Sequence, residues 1–155
     1  MSTRFRLAAG AVLLVGLVQS GAAVGSAQAP STYRYVLSSG PFGLPANAHS
    51  VDWKALNDSP VSQSVRVTVY NVRIGMAKTP VVPPGPRTYT LQPSFATHNA
   101  NGVGAGKPFS VGGTYEVVVE LNDRRVLPIV EVWSNSANTV IAGTRLSPQD
   151  FTEIP

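Results

Sequence analysis

The sequence predicts an all-β protein, an antiparallel β-sandwich of one domain. Three observations predict it. Apolar and polar residues alternate with a period of two along most of the chain after residue 29. Asn, Asp, Gly and Pro cluster at near-regular intervals between the alternating runs, and no stretch after residue 29 keeps a helical period. Six to eight short strands separated by such turns are typical of a sandwich.

The first element is a predicted signal peptide. Arg4 and Arg6 precede an apolar run at 7–18, and small residues follow it. This layout is typical of a secretory signal peptide helix that is cleaved during export. A membrane-spanning helix needs about 20 predominantly apolar residues, whereas Gln and Ser return directly after residue 18.

The end of the signal peptide is marked by two small residues. Cleavage after Ala27 or Ala29 would fit, and Pro30 favours the earlier bond because proline just past the cut is unfavourable. We divide the chain into a signal peptide at 1–29 and a single domain at 30–155. The expected location is exported, periplasmic or extracellular, with no membrane attachment after cleavage.

Composition excludes several function classes. The chain carries 12 Lys and Arg against 8 Asp and Glu, and it has no cysteine. Loss of Arg4 and Arg6 with the signal peptide leaves 10 basic against 8 acidic residues, a net charge of +2. No nucleic-acid partner is expected at that charge. Absence of cysteine excludes thiol catalysis and favours a bacterial exported protein over a disulfide-rich eukaryotic one.

Two strands are predicted most clearly, at 64–74 and 114–121. In the first, Val65, Val67 and Val69 share one face, and the apolar phase then shifts. The shift predicts a β-bulge near Tyr70–Asn71. Further strands are predicted at 31–39, 49–56, 87–91, 125–134, 138–143 and 150–154. Turns are predicted at 57–60, 79–86, 99–108 and 122–125.

Residues 50–145 resemble a known class of module. "ALNDSPVSQSVRVTVYNV", a Pro- and Gly-containing stretch and "GGTYEVVVELNDRRVLPIVEVWSNSANTV" resemble bacterial immunoglobulin-like accessory modules, of which the adhesion-related CARDB domain is the nearest. The pattern is also similar to small exported bacterial sandwich proteins of unassigned function. The resemblance implies an immunoglobulin-like sandwich. It also implies a non-enzymatic interaction or structural module at or outside the cell envelope, whose partner is a protein or glycan.

Recognisable catalytic motifs are missing from the sequence. No Gly-x-Ser-x-Gly motif occurs, and alternation predicts that Glu116 and Glu120 face solvent. The "GVGAGK" stretch at 102–107 is not a phosphate loop, because Asn101 and Pro108 stand where that motif needs Gly and Ser or Thr. We therefore expect no enzyme and no cofactor, although a small secreted hydrolase with an unrecognised site remains an alternative.

A metal site is not expected either. The candidate ligands are His49, Asp52 and His98. Odd spacing puts the first two on opposite faces of a regular strand, and the third falls in a predicted distant loop. Metal sites need clustered ligands, so these three residues give no basis for one.

The binding candidates surround Trp133. Trp53 shares a face with Val51 and Ala55 and is predicted to be a core residue. In 126–133, Glu131 and Trp133 share the face opposite three valines, and a charge is costly to bury without a partner. We therefore expect that face to reach water and Trp133 to be partly exposed. The predicted binding residues are Glu131, Trp133, Asn135 and Asn138.

The sequence leaves two binding modes open. The first is a carbohydrate-binding module that uses Trp133 and its neighbours. The second is pairing of an edge strand with a partner strand, with the prolines of 79–86 blocking one edge. The sequence does not identify an open edge.

Overall fold

The computed structural model describes residues 32–134 and 139–155, and this part of the chain is all-β. The predicted signal peptide lies outside the described residues. No helix among them is long and apolar enough to span a membrane. The strands are β1 (Tyr35–Ser38), β2 (Phe42–Gly43), β3 (Ala48–Asn57), β4 (Gln63–Asn71), β5 (Thr79–Pro80), β6 (Arg87–Leu91), β7 (Ala96–Gly102), β8 (Thr114–Leu121), β9 (Val126–Ser134) and β10 (Thr152–Glu153), with a 3₁₀ turn at Pro148–Asp150.

These strands form two antiparallel sheets. The larger is seven-stranded, with the order β10-β1-β8-β4-β5, and in it β2 also pairs with β8 and β6 with β4. The smaller is three-stranded, with the order β7-β3-β9. The polar turns between the strands let the chain pass from one sheet to the other.

One hydrophobic core lies between the two sheets, as the period-two alternation predicts. Val65, Val67 and Val69 of β4 stand opposite apolar residues of β8 in unbroken register, so all of them face the same side. The three-stranded sheet closes the core from the other side with Val51, Trp53 and Ala55 of β3 and with the buried valines of β9. This two-layer arrangement is that of a β-sandwich.

The predicted bulge near Tyr70–Asn71 is wrong. β4 keeps its register with β8 up to the pair Asn71–Tyr115 and then ends. The apolar phase changes because the strand stops there, not because it contains an extra residue. Ile74 lies in the following turn and is fully exposed. The register does shift in β3, between Ala48 and Ser50.

Two other predicted segments differ from the structure. Residues 99–102 belong to β7 and not to a loop, since β7 pairs with β3 from Ala96 to Gly102. β7 is an edge strand, and its Asn-rich composition conceals it. The described part of 138–143 is not a strand: Val140 makes an isolated bridge to Trp133, and a turn follows.

Glu116 and Glu120 lie on the outer face of β8, as alternation predicts, but both are buried. β8 lies inside the sheet, so side chains of neighbouring segments cover its outer face. Arg66 pairs with Glu120. Lys78 Nζ lies 3.0 Å from Glu116 Oε2, and the Ser38 hydroxyl donates to Glu116 Oε1 at 2.6 Å. The expectation of a solvated face was wrong because it ignored these partners.

Candidate functional site

Polar and titratable side chains from all three strands meet on the outer face of the three-stranded sheet. Inward residues of β3 alternate with Ser50, Asp52 and Lys54, which therefore point away from the core. Antiparallel register places residues of β7 and β9 beside them on the same face. The three cross-strand rows are Trp133–Ser50–Gly102, Glu131–Asp52–Ala100 and Ile129–Lys54–His98.

A shallow depression of about 320 Å³ lies on this face. Its lining combines an indole, a carboxylate, an ammonium, an imidazole and two small side chains. We call it the Asp52 depression. Its lining residues are Ser50, Asp52, Lys54, His98, Ala100 and Trp133.

Asp52 is the most unusual group in this depression. Its side chain is buried, with the residue only 6% exposed. One carboxylate oxygen, Oδ2, lies 2.7 Å from His98 Nε2. An ionised carboxylate can only accept, so Nε2 carries the hydrogen in this contact. The other oxygen, Oδ1, is buried and has no hydrogen-bond partner among the described residues. Such a group costs free energy in the unliganded protein.

Glu131 is buried beside Asp52 and does not face water as the sequence suggested; it is 6% exposed. Lys54 Nζ donates to Glu131 Oε2 at 2.8 Å, and Arg145 Nε lies 3.6 Å from Oε1. The residues that follow β9 also cover its free edge: the N–H of Ile141 donates to the Val132 carbonyl at 2.8 Å. Paired cations and covered backbone make burial of this carboxylate tolerable.

Trp133 forms one wall of the depression and is half-buried. Its indole Nε1 is buried and has no partner in the described part of the chain. The N–H of Ser134 donates to the Thr139 carbonyl at 2.9 Å, which ties the end of β9 to the segment that begins at residue 139. Of the four predicted binding residues, Glu131 and Trp133 lie on this face. Asn135 and Asn138 lie outside the described residues.

Sequence reasoning missed the pairing of Asp52 with His98. It placed Asp52 correctly on the face opposite Trp53, which is 2% exposed and belongs to the core. It placed His98 in a loop because β7 was not recognised. His49 is exposed. No group of three or more His, Cys, Asp or Glu that could hold a metal occurs among residues 32–134 and 139–155.

A second depression, of about 450 Å³, lies where β4 ends near the start of β8. Its lining includes Arg73, the exposed Ile74 and the segment from Ser110 to Tyr115. The Tyr115 hydroxyl accepts from the N–H of Ser110 at 2.8 Å. Arg73 is its one charged lining residue, so this surface offers less recognition chemistry than the Asp52 depression.

Comparison with known proteins found no relative of this chain. No protein-family model matches the chain, and no curated protein or solved structure matches it. Arguments about function therefore depend on the geometry of the outer face.

Proposed function

We propose that the protein is an exported, non-enzymatic binding module with an immunoglobulin-like core, and that it binds its ligand at the Asp52 depression. One observation carries the proposal. Asp52 is a buried carboxylate that lines an open depression while one of its oxygens lacks a partner. Unpaired buried polar groups are rare in folded proteins, and a ligand that donates to Asp52 would remove the cost.

A binding role fits this site better than catalysis. Asp52, His98 and Ser50 all line the depression, which raises the alternative of a small hydrolase. In a hydrolytic triad the imidazole bridges the acid and the nucleophile. Here, within the described residues, no hydrogen bond joins Ser50 to His98. This arrangement favours contact with a ligand over activation of a hydroxyl.

Strand connectivity supports an immunoglobulin-like core. Seven strands are longer than two residues: β1, β3, β4, β6, β7, β8 and β9. The second of them pairs with the fifth and the third with the sixth, as strands B with E and C with F do in immunoglobulin domains. The first, fourth and last strands differ, because β1 lies beside β8, β6 beside β4 and β9 beside β3. The two shared central pairings support the proposed immunoglobulin-like core, with the outer strands exchanged between the sheets.

Export is supported by the basic, apolar and small-residue order of 1–29. We propose that cleavage releases a product that begins at Gln28 or Pro30 and works in the periplasm or outside the cell. Production of the full chain in a bacterial host, followed by the intact mass of the exported product, tests this part. A product that retains Met1 and sediments with membranes would contradict it.

The binding role is tested by cosedimentation of the exported protein with purified cell-envelope fractions. We expect saturable binding to at least one fraction. Asp52→Asn should weaken it about tenfold, since the loss of one charged hydrogen bond is worth roughly 1.5–3 kcal/mol. His49→Ala, which changes an exposed residue outside the depression, should bind like the wild type. Absence of binding, or equal binding by all three proteins, would contradict the proposal.

A further inference from the structure

We infer that the ligand of the Asp52 depression is an uncharged carbohydrate, with one sugar ring against Trp133 and a hydroxyl donating to Asp52. This inference rests on the proposed binding function and adds the chemical class of the ligand.

The unpaired polar atoms define the first requirement. Asp52 Oδ1 can only accept and Trp133 Nε1 can only donate, and neither has a partner among the described residues. A hydroxyl group both donates and accepts, so a polyhydroxylated ligand has the chemistry to satisfy either atom once a side-chain movement exposes it. Ser50 and Lys54 line the same depression and offer a further hydroxyl and ammonium for neighbouring sugar oxygens.

Access to Asp52 depends on His98. Oδ1 is buried, whereas the His98 side chain that holds Oδ2 is 61% exposed. The bond to Asp52 is the one hydrogen bond of the imidazole among the described residues. Rotation of His98 toward solvent would free Oδ2 of Asp52 for a ligand hydroxyl. We therefore expect His98→Ala, which keeps the carboxylate, to weaken binding less than Asp52→Asn does.

The aromatic wall supplies the apolar part of recognition. Trp133 is half-buried, so part of its indole remains open to the depression. Pyranose rings carry a face of C–H groups that lose contact with water when they pack on an aromatic ring. An aromatic surface beside hydrogen-bonding groups suits a molecule that is apolar on its ring face and polar at its edge.

The charge balance argues against a charged ligand. Glu131 is paired with Lys54 and approached by Arg145, and Asp52 is paired with His98. The one fixed cation that lines the depression, Lys54, is thus already paired with Glu131, and Lys107, whose side chain lies beside Gly102 on the same face, is not among the lining residues. No unpaired fixed cation of the lining is left to hold a phosphate or carboxylate. An uncharged ligand disturbs none of these pairs.

Shape distinguishes a sugar chain from a peptide. The floor includes the small residues Ser50 and Ala100, so a ring can approach the sheet closely there, while the Lys107 side chain covers the neighbouring Gly102. A peptide strand would use the backbone groups at a sheet edge, as in strand addition. The depression instead presents side chains on the face of the sheet. These features favour an oligosaccharide lying across β3.

The test uses defined oligosaccharides as probes: cellohexaose, chitohexaose and mannohexaose, each titrated into the exported protein by calorimetry. We expect at least one of them to bind. Trp133→Ala and Asp52→Asn should each weaken that binding tenfold or more, while Trp133→Phe keeps part of it. Thermal unfolding of each variant confirms that it is folded.

Matched controls lie on the opposite sheet. Tyr70→Ala removes a half-buried aromatic residue and Glu116→Gln neutralises a buried carboxylate, both on the outer face of the seven-stranded sheet. Both should bind the sugar like the wild type. Equal weakening by the controls would overturn the assignment to the Asp52 depression.

The carbohydrate inference and the proposed binding role can fail separately, and the experiments tell the two failures apart. If no sugar binds but an envelope fraction is still bound through Asp52, and protease treatment of that fraction removes the binding, the ligand is a protein. The carbohydrate inference is then overturned and the binding role stands. If neither the sugars nor any envelope fraction bind, both proposals are overturned.

Discussion

Trp53 and Trp133 lie on opposite faces of the three-stranded sheet and should contribute differently to stability. Trp53 packs in the core with its ring centroid 5.5 Å from that of Tyr89, so Trp53→Ala should cost about 3–5 kcal/mol. Trp133 is half-buried, and Trp133→Ala should cost about 1–2 kcal/mol. Urea unfolding of the two variants measures both values. Equal, large losses would make Trp133 a structural residue and remove it from the binding face.

Two buried carboxylates should respond in opposite ways to neutralisation. Asp52→Asn removes a charge that is only half satisfied, so the free energy of unfolding should change by less than about 0.5 kcal/mol or increase. Glu120→Gln breaks the two-point pair with Arg66 and should cost roughly 1–2 kcal/mol, since Arg66 is partly solvent-exposed. Denaturant unfolding compares them, and a large loss for Asp52→Asn would show that Asp52 stabilises the fold.

Single residues were predictable where strand alternation decides their side. Alternation placed Trp53 inside and put Glu131 and Trp133 together on the opposite face, as the structure has them. It could not show that Glu131 is buried, because that depends on Lys54 and on Arg145 from a later segment. The contact of Asp52 with His98 joins residues 46 positions apart, and only the register of β3 with β7 brings them together.

Among the strands, long ones with one fully buried face were easier to predict than short or polar ones. β4, β8 and β9 bury one face completely and therefore show clear alternation. β7 pairs on one side and carries Asn99 and Asn101 on its half-buried positions, so it resembles a turn. β2, β5 and β10 contain two residues each, and their pairing depends on tertiary contacts rather than on local pattern.

The turn before β8 should require glycine at position 113. A Cβ there would lie 2.6 Å from the Tyr115 hydroxyl oxygen, and Tyr115 is fixed in the core against Phe109. Gly113→Ala should therefore destabilise the protein by roughly 1–3 kcal/mol. Gly43→Ala is the control, because a Cβ at that position meets nothing within 4 Å. Thermal unfolding measures both, and equal midpoints would contradict the proposed clash.

The β8–β9 turn contains an acid with a low pKa. The Arg125 guanidinium and backbone N–H both donate to Asp123, which lowers the pKa of Asp123 to about 2. A lowered pKa means that the stabilisation is complete above about pH 3.8, the ordinary value, and is lost as the pH falls toward 2. An NMR pH titration measures it.

A variant and an internal control make this titration specific. Arg125→Gln should raise the pKa of Asp123, because the side-chain hydrogen bond is the largest cause of the shift. The pKa of Asp150, lowered by the backbone and side chain of Ser147, should stay where it is. Unchanged titration of Asp123 in the variant would show that the ion pair does not form in solution.

For the whole chain, the class of fold was predictable but the assignment of strands to sheets was not. Period-two alternation and regular turns indicated two antiparallel layers, and the core between them confirms this. Alternation tells which side of a strand is apolar, not which strand lies beside it. β1 joins β8 and β9 joins β3, and this choice depends on the packing of the complete molecule.

Folding should need neither metal nor disulfide. The chain has no cysteine, and the stability of the described domain is explained by one core shared by both sheets. Asp52 and His98 would provide a metal with only two side chains, whereas a structural zinc ion usually takes four. Thermal unfolding with and without EDTA should therefore give the same midpoint. The two midpoints of His98→Ala, with and without EDTA, should also be equal. A midpoint that falls in EDTA for the wild type but not for His98→Ala would instead place a metal at Asp52 and His98.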